Sequence, residues 1–532
     1  MKRRFYFPIT LSMYPVLSLL AANITQVELL DAMRSLVVSI LLACIVYALF
    51  WIWLRDALRA AVLSTYTLIL FFSYGHVYAL IENLTLFSYN IGRHRFLLLV
   101  WVLLFVVGFI WVKRSPQFFI ESSGIINIAC IIMVSIPIFR IISFEIGLTH
   151  SAIDEENEGQ YEFERVDISS DVSVSEIDTF PDIYYIILDM YTRGDILESK
   201  LDYDNSPFVN DLEKLGFYVA PCSYSNYGNT VLSLGSSLNL DYFQNLVQDY
   251  SDTISPYKYG NLVKDNQLRN ILKDLGYQII AFESGFSPTE WDNADRYLVP
   301  QKNRVFGGLN TFESMFIRTT LGIFLFEIRD YLPVYIAEGL DGAYFQHRER
   351  ILFTLDEIEN VPSFPGPKFV FVHILAPHNP FAFGRNGEPV RRNFFFTLNK
   401  DRDSDTWDEF APGYIDQVIF LNTRMSGIIR RILEVSDPQP IIIIQGDHGI
   451  PRMSEPDERL AILNAYYFAG LSNTGLYSNI SPVNTFRLVL HNLLGTNYDL
   501  LDDKSYYTPQ GHSPLDFEEI PAIENSCLSG RN

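Results

Sequence analysis

Two hydrophobic patterns divide the chain. In its first part apolar residues run almost unbroken, at 5–22, 36–54, 60–81, 96–112 and 125–142. Each run is close to the ~20 residues that cross a bilayer as a helix. Beyond residue 180 the runs shorten and begin to alternate. Residues 183–188, 277–282, 368–375 and 441–444 read as strands, with shorter ones at 217–219 and 465–468. The tetrapeptide Ile441-Ile442-Ile443-Ile444 has the composition of a strand buried on both faces, as in parallel sheets. Helical stretches at 208–215, 266–275, 414–434 and 483–494 separate these strands. Strands alternating with helices predict an α/β sandwich around a mostly parallel central sheet. About five transmembrane helices are expected to precede it. Four segments follow: a transmembrane domain at 1–149, a linker at 150–180, a catalytic-type domain at 181–515 and a tail at 516–532.

Charge sharpens this division. In the linker Asp154, Glu155, Glu156, Glu158, Glu162, Glu164, Asp167, Asp171, Glu176 and Asp178 face a single base, Arg165. Such a stretch repels itself and stays solvated, so it reads as a spacer. The whole chain of 532 residues is 48% hydrophobic and only 19% charged, with a formal net charge of -22. That balance suits a membrane protein with a soluble part and argues against nucleic acid as a partner. Lys2, Arg3, Arg4, Arg55, Arg59, Lys113 and Arg114 fall on one side of the apolar runs; Arg34, Arg93 and Arg95 fall on the other. The richer side is cytoplasmic. An odd number of spans then puts everything after residue 142 outside. The first run, which holds Pro8 and Pro15, also fits a cleaved signal peptide ending near Ala22. His76 is the ionisable exception within the spans, and no acid–base chain accompanies it, so transport is disfavoured. Cys44, Cys130, Cys222 and Cys527 show no CxxC spacing, and no disulfide framework is expected. No internal repeat is visible.

The candidate chemistry lies at the ends of the strands, where open α/β sheets place their ligands. The first strand stops at Asp189. A carboxylate straight after a fully apolar strand must be solvated, paired or bound to metal, or else cap a helix. The strand at 441–444 runs into Gln445-Gly446-Asp447-His448-Gly449, a tight turn holding an acid and an imidazole. The strand at 368–375 contains His373 and runs into Ala376-Pro377-His378-Asn379-Pro380. Three such ends suggest one shared metal site. Thr230 follows the loop Ser225-Asn226-Tyr227-Gly228-Asn229 at the start of a helix. It reads either as a capping residue or as a nucleophile whose product anion the helix amides stabilise.

Taken in order and spacing, Asp182 to Asp189, Ser225-Asn226-Tyr227 with Thr230, His373 to Pro380 and Gln445 to Gly449 resemble the sulfatase-like branch of the alkaline phosphatase superfamily. Membrane-anchored lipoteichoic acid synthases and phosphoethanolamine transferases belong to that branch. The resemblance covers roughly residues 182–492. It implies an alkaline-phosphatase-like sandwich and one divalent metal ion held by Asp189, Thr230, Asp447 and His448. It also implies a catalytic role for Thr230 as nucleophile and for His378 at the transferring group. His373, Trp291 and Arg296 are further substrate-side candidates, and His373 could help hold a second metal. The sequence departs from the pattern twice. Cys222-Ser223-Tyr224-Ser225-Asn226 lacks the proline and arginine of the sulfatase maturation motif, and no Asp-x-x-x-His marks a second zinc site.

The expected function is therefore a membrane-anchored, extracytoplasmic, metal-dependent hydrolase or transferase. It would act on phosphoryl-linked groups of lipids or surface glycans. Three oxygens and one nitrogen suit Mn²⁺ or Zn²⁺, with Mg²⁺ also possible. Alternatives from other classes are a sulfuric ester hydrolase and a non-catalytic surface binding protein with the same fold.

Overall fold

The computed structural model describes residues 5–157 and 180–520, save for 25–26, 28, 83, 87–88, 91, 115, 248–249, 251–258, 302–307, 391–395, 397–405, 469–474, 496–497 and 510. Most of the acidic linker, the bases Lys2, Arg3 and Arg4, and most of the tail lie outside the described residues. The chain divides into two compact units.

The first unit begins with five helices: α1 (Phe7–Ala22), α2 (Leu29–Leu54), α3 (Ala57–Ile81), α4 (His94–Arg114) and α5 (Pro116–Asn157). Four of them have the length and composition to cross a membrane. The sixteen residues of α1 rise ~24 Å, short of the ~30 Å hydrocarbon core. Polar groups within these apolar helices are satisfied locally. Ser64 and Thr65 donate to the carbonyls of Ala60 and Ala61, four residues back. The side chain of Asn127 on α5 accepts from the backbone N–H groups of Tyr6 and Phe7 at 3.0 and 3.1 Å, closing the open end of α1.

This unit also takes in Lys302–Gln346, a stretch that falls inside the domain expected at 181–515. Its helix Thr311–Arg318 starts with a capping box between Asn310 and Glu313. Glu313 pairs with Arg34 on α2, and Asn310 donates to the carbonyl of Asp31 at 3.0 Å. These polar partners lie 279 residues apart in sequence, beyond the reach of any periodicity argument.

The second unit is the α/β sandwich that the alternation predicts. Its strands are β1 (Ile183–Leu188), β2 (Tyr218–Val219), β3 (Gln278–Phe282), β4 (Arg296–Leu298), β5 (Lys368–Ile374), β6 (Ile441–Gln445) and β7 (Asn464–Phe468). The order across the sheet is β2-β7-β6-β1-β5-β3-β4. The five strands from β6 to β4 are parallel, and β7 is antiparallel to both of its neighbours. β1 is the central strand, and every residue in it is fully buried. Ile183, Tyr185 and Ile187 pack on one face against helix α6 (Thr230–Leu238), which contributes Val231, Leu234 and Leu238. Phe486, Val489 and Leu490 of a second helix, Pro482–Leu494, extend that layer. Tyr184, Ile186 and Leu188 are buried on the other face.

Helix α7 (Trp407–Val435) carries an apolar stripe at Phe410, Tyr414, Val418, Leu421, Met425, Ile429 and Ile432, the i, i+3, i+4 spacing of an amphipathic helix. The register pairs Leu188 with Ile374 and Ile187 with Gln445. The carboxyl ends of β1, β5 and β6 therefore finish at one level, and the chemistry-bearing residues leave the sheet side by side.

Candidate metal centre

The chain turns sharply after β1. Met190 adopts a left-handed conformation, φ 65°, unusual for a residue with a side chain. Three contacts hold it there. The N–H of Met190 donates to Asp447 Oδ1 at 2.9 Å. Tyr414 on α7 donates its hydroxyl to the Met190 carbonyl at 2.8 Å and accepts from Thr192 N–H at 3.0 Å. The turn leaves the Asp189 side chain buried at the carboxyl end of the strand.

The turn after β6 lies against the first one. A side chain on Gly446 would put its Cβ 2.3 Å from the Tyr191 carbonyl, so only glycine allows this approach. Asp447 and His448 are both fully buried. His448 Nδ1 lies 2.8 Å from the Gly449 carbonyl. A carbonyl only accepts, so Nδ1 carries the proton and Nε2 presents its lone pair. That lone pair faces two carboxylates, Asp189 Oδ1 and Asp447 Oδ2, each at 3.6 Å.

These separations test whether the residues suit a metal ion. At 3.6 Å the atoms are too far apart to hydrogen-bond. Ligands held at about 2.1 Å from an ion in tetrahedral array stand about 3.4 Å apart. The donor atoms of Asp189, Asp447 and His448 all lie within 4.8 Å of one another. Two buried carboxylates side by side, with no cation between them, would be strongly unfavourable. The residues fit a divalent ion. For Asp447, burial pushes the carboxyl upward, but His448 and His373 outweigh it, and the net shift is downward.

Thr230 is the first residue of α6 and is also buried. Its helix is capped by Asn229, whose side chain accepts from Val231 N–H at 3.0 Å. The cap is therefore supplied by Asn229. The Thr230 side chain stands beside Asp447 and helps to hold its carboxyl down. The structure thus brings Asp189, Thr230, Asp447 and His448 together.

His378 sits beside this group. Its N–H donates to the Asp189 carbonyl at 3.1 Å, and its ring centroid is 6.3 Å from that of His448. Its Nδ1 is hydrogen-bonded to the Asn379 carbonyl, which again leaves Nε2 as the acceptor. The ring is half-buried, more open than any of the four residues above.

His373 is buried, with Nε2 3.7 Å from Asp189 Oδ2, so the two oxygens of Asp189 face two imidazoles. Burial and His448 push the His373 pKa down to about 4 against the opposing pull of Asp447, and the ring is neutral. Its Nδ1 stands 2.9 Å from Thr289 Oγ1, which stands 2.9 Å from Ser284 Oγ, which lies 3.1 Å from Glu290 Oε1. Tyr297 and the N–H of Gly285 also donate to Glu290. Ser284 donates to this carboxylate. Thr289 then has Ser284 Oγ and the Phe286 carbonyl as acceptors for its own proton, and its oxygen takes the Nδ1–H of His373. Sequence reasoning missed Ser284, Thr289 and Glu290. Their only signal was a polar loop following an apolar strand.

Trp291 and Arg296 do not join the site. Trp291 is fully buried and stacks on Phe371, with ring centroids 4.2 Å apart. It is a core residue, as its large apolar area favours. Arg296 lies on the outermost strand, in register through Ile280 and Val370 with Tyr184, well below the end of β1. Its guanidinium rests on the Phe364 ring at 4.5 Å.

No family model and no curated protein matches the sequence. Solved structures do match. The C-terminal periplasmic domain of EptC from Escherichia coli, in complex with Zn, is 12% identical; the match covers 63% of this chain and 90% of that one, with a TM-score of 0.39. The integral membrane lipooligosaccharide phosphoethanolamine transferase A from Neisseria meningitidis is 12% identical; the match covers 92% of this chain and 95% of that one, with a TM-score of 0.39. A protein of the alkaline phosphatase superfamily from Vibrio parahaemolyticus is 10% identical, covering 64% and 75%, also with a TM-score of 0.39.

One expectation is overturned near the site. Cys222, four residues before Asn226, is disulfide-bonded. Cys44 and Cys130 are free. Spacing alone cannot reveal a bridge between two isolated cysteines.

Proposed function

We propose that this chain is a membrane-anchored, metal-dependent phosphotransferase or phosphoric ester hydrolase. Its nucleophile is Thr230, and its substrates are lipids or surface glycans carrying phosphoryl-linked groups. The observation that carries the reading is the buried cluster of Asp189, Asp447 and His448, whose donor atoms lie within 4.8 Å of one another, with Thr230 beside Asp447 at the start of α6.

Asp189, Asp447, His448 and the Thr230 oxygen would hold the ion. When bound, a divalent metal lowers the pKa of a coordinated hydroxyl and neutralises charge on substrate oxygens. Asp447, beside Thr230, would take its proton. Thr230 Oγ attacks phosphorus, its bond to phosphorus forms, and the bond from phosphorus to the leaving oxygen breaks. The first N–H groups of α6 face the product anion. His378, the most open of the imidazoles, takes a proton from solvent at Nε2 and, so charged, donates to the phosphoryl oxygens or passes that proton to the leaving oxygen. A second oxygen nucleophile then displaces Thr230: water gives hydrolysis and an acceptor hydroxyl gives transfer.

The donor set of three oxygens and one imidazole nitrogen favours Mn²⁺ or Zn²⁺ over Mg²⁺. Sulfate ester hydrolysis is disfavoured, because a threonine cannot mature to the formylglycine of sulfatases. The excess of basic residues on one side of the spans supports an extracytoplasmic second unit. So does the Cys222 disulfide, since such bonds persist in oxidising compartments.

The test is turnover of a phospholipid extract by the full-length detergent-solubilised protein. Wild type should release or transfer the phosphoryl group, and Thr230→Ala should not. Equal turnover by both would remove Thr230 as nucleophile.

A further inference from the structure

The segment Lys302–Gln346 leaves the α/β unit and folds with the membrane helices. All of its anchors lie at one end of the helix bundle. Arg34 and Asp31 are in the first turns of α2, Gly75 is near the end of α3, and His94 opens α4. Glu313 and Asn310 hold the first two. The Thr319 carbonyl accepts from Gly75 N–H at 3.1 Å, and a Cβ on Gly75 would lie 2.0 Å from the Arg318 carbonyl, so this contact requires glycine. Phe316 meets Phe72, and Phe324 meets His94, at ring-centroid distances of 6.0 and 6.1 Å. α5 enters from the far end of the bundle and therefore delivers the chain to this same end.

Beyond Phe324 the segment folds over a small core of its own. Phe326 and Leu340 are buried, with Leu309, Ile317 and Leu332 packed against them. Arg329 pairs with Asp341 at 3.2 Å and lies over the Phe326 ring. Its other face is apolar and open. Tyr331, Val334 and Tyr335 are 88%, 72% and 75% exposed, and Leu325 and Ile336 are exposed beside them. An apolar patch of this kind, next to satisfied polar groups, marks a surface made to be covered.

We propose that residues 324–340 form a membrane-interface foot, with Leu325, Tyr331, Val334, Tyr335 and Ile336 inserted at the boundary between lipid headgroups and acyl chains. Continuity identifies the occupant. Phe324 packs on the first residue of α4, and that helix exposes Leu99, Val102 and Leu103 to lipid a few residues further on. Tyrosines suit this depth, because the ring is apolar and the hydroxyl stays wet. This inference does not depend on the reaction proposed above.

The test uses full-length protein in nanodiscs of phosphatidylcholine and phosphatidylglycerol. Cys44→Ser and Cys130→Ser remove the free thiols, and a spin label is attached through Tyr335→Cys, Val334→Cys or, as a water-exposed reference, Glu359→Cys. Collision with oxygen reports lipid, and collision with a polar nickel chelate reports water. The ratio of oxygen to nickel accessibility should be several-fold higher at 334 and 335 than at 359. Equal ratios at all three positions would overturn the foot. Label–label broadening that disappears in discs holding one protein copy would also overturn it, by naming a second copy as the occupant.

Discussion

Nε2 of His448 lies 3.6 Å from Oδ1 of Asp189, with Nδ1 of the same ring committed to the Gly449 carbonyl. An Nε2 lone pair turned towards a carboxylate at this distance is an arrangement that a bound cation would complete, and that relationship organises the site. Replacing His448 with alanine should weaken Mn²⁺ or Zn²⁺ binding by ~10–100-fold or more, since losing even the outer support of a metal ligand has an effect of that size. Replacing His378 with alanine should leave metal affinity nearly unchanged while slowing turnover by ~10²–10⁴-fold, the usual contribution of a general acid. Metal titration and kcat of the two variants separate the roles. Equal loss of metal by both would place His378 among the ligands.

Thr289 should act through His373. Its Oγ1 is 2.9 Å from His373 Nδ1 and holds Nε2 towards Asp189. Thr289→Val, which keeps the shape and removes the hydroxyl, should lower turnover by ~10–100-fold, in the range of outer-shell losses. Thr289→Ser should restore most of it. If the valine and serine variants turn over equally, the hydroxyl orients nothing that the reaction uses.

Gly446→Ala should destabilise the second unit. The added Cβ would stand 2.3 Å from the Tyr191 carbonyl, a backbone atom that cannot rotate away. The cost is about 1–3 kcal/mol, as for other forced insertions into a packed core. Thermal unfolding of the full-length protein should shift down by several degrees. An unchanged transition would mean that the two turns separate freely.

A reporter fused after Asn532 should be active outside the cytoplasm and silent within it. In the same cells Cys222 should resist thiol labelling until a reductant is added, because it is disulfide-bonded. A cytoplasmically active reporter would overturn the orientation.

Much of this architecture is legible in the sequence, for physical reasons. A strand buried on both faces must be apolar throughout, so Ile441 to Ile444 and Ile183 to Leu188 declare themselves. A charged residue immediately after such a run has few structural explanations, which brought Asp189, Asp447 and His448 into view together. The misses have equally local causes. Trp291 and Arg296 followed a strand closely enough to suggest a site, but nothing in one sequence reveals that Arg296 lies at the register level of Tyr184 on the outermost strand. Thr289 and Ser284 act through hydrogen bonds closed only by folding. The pairing of Arg34 with Glu313 spans 279 residues. No periodicity carries that information, so the transfer of 302–346 to the membrane unit was invisible.

Thr230 should become covalently phosphorylated during turnover. This is tested by incubating the full-length protein with lipid extract and Mn²⁺ or Zn²⁺, quenching in acid, and mapping modified peptides by mass spectrometry. A phosphoryl-bearing adduct is expected on Thr230, and its mass identifies the transferred group. An unmodified Thr230 beside a labelled residue elsewhere, under conditions of active turnover, would contradict it.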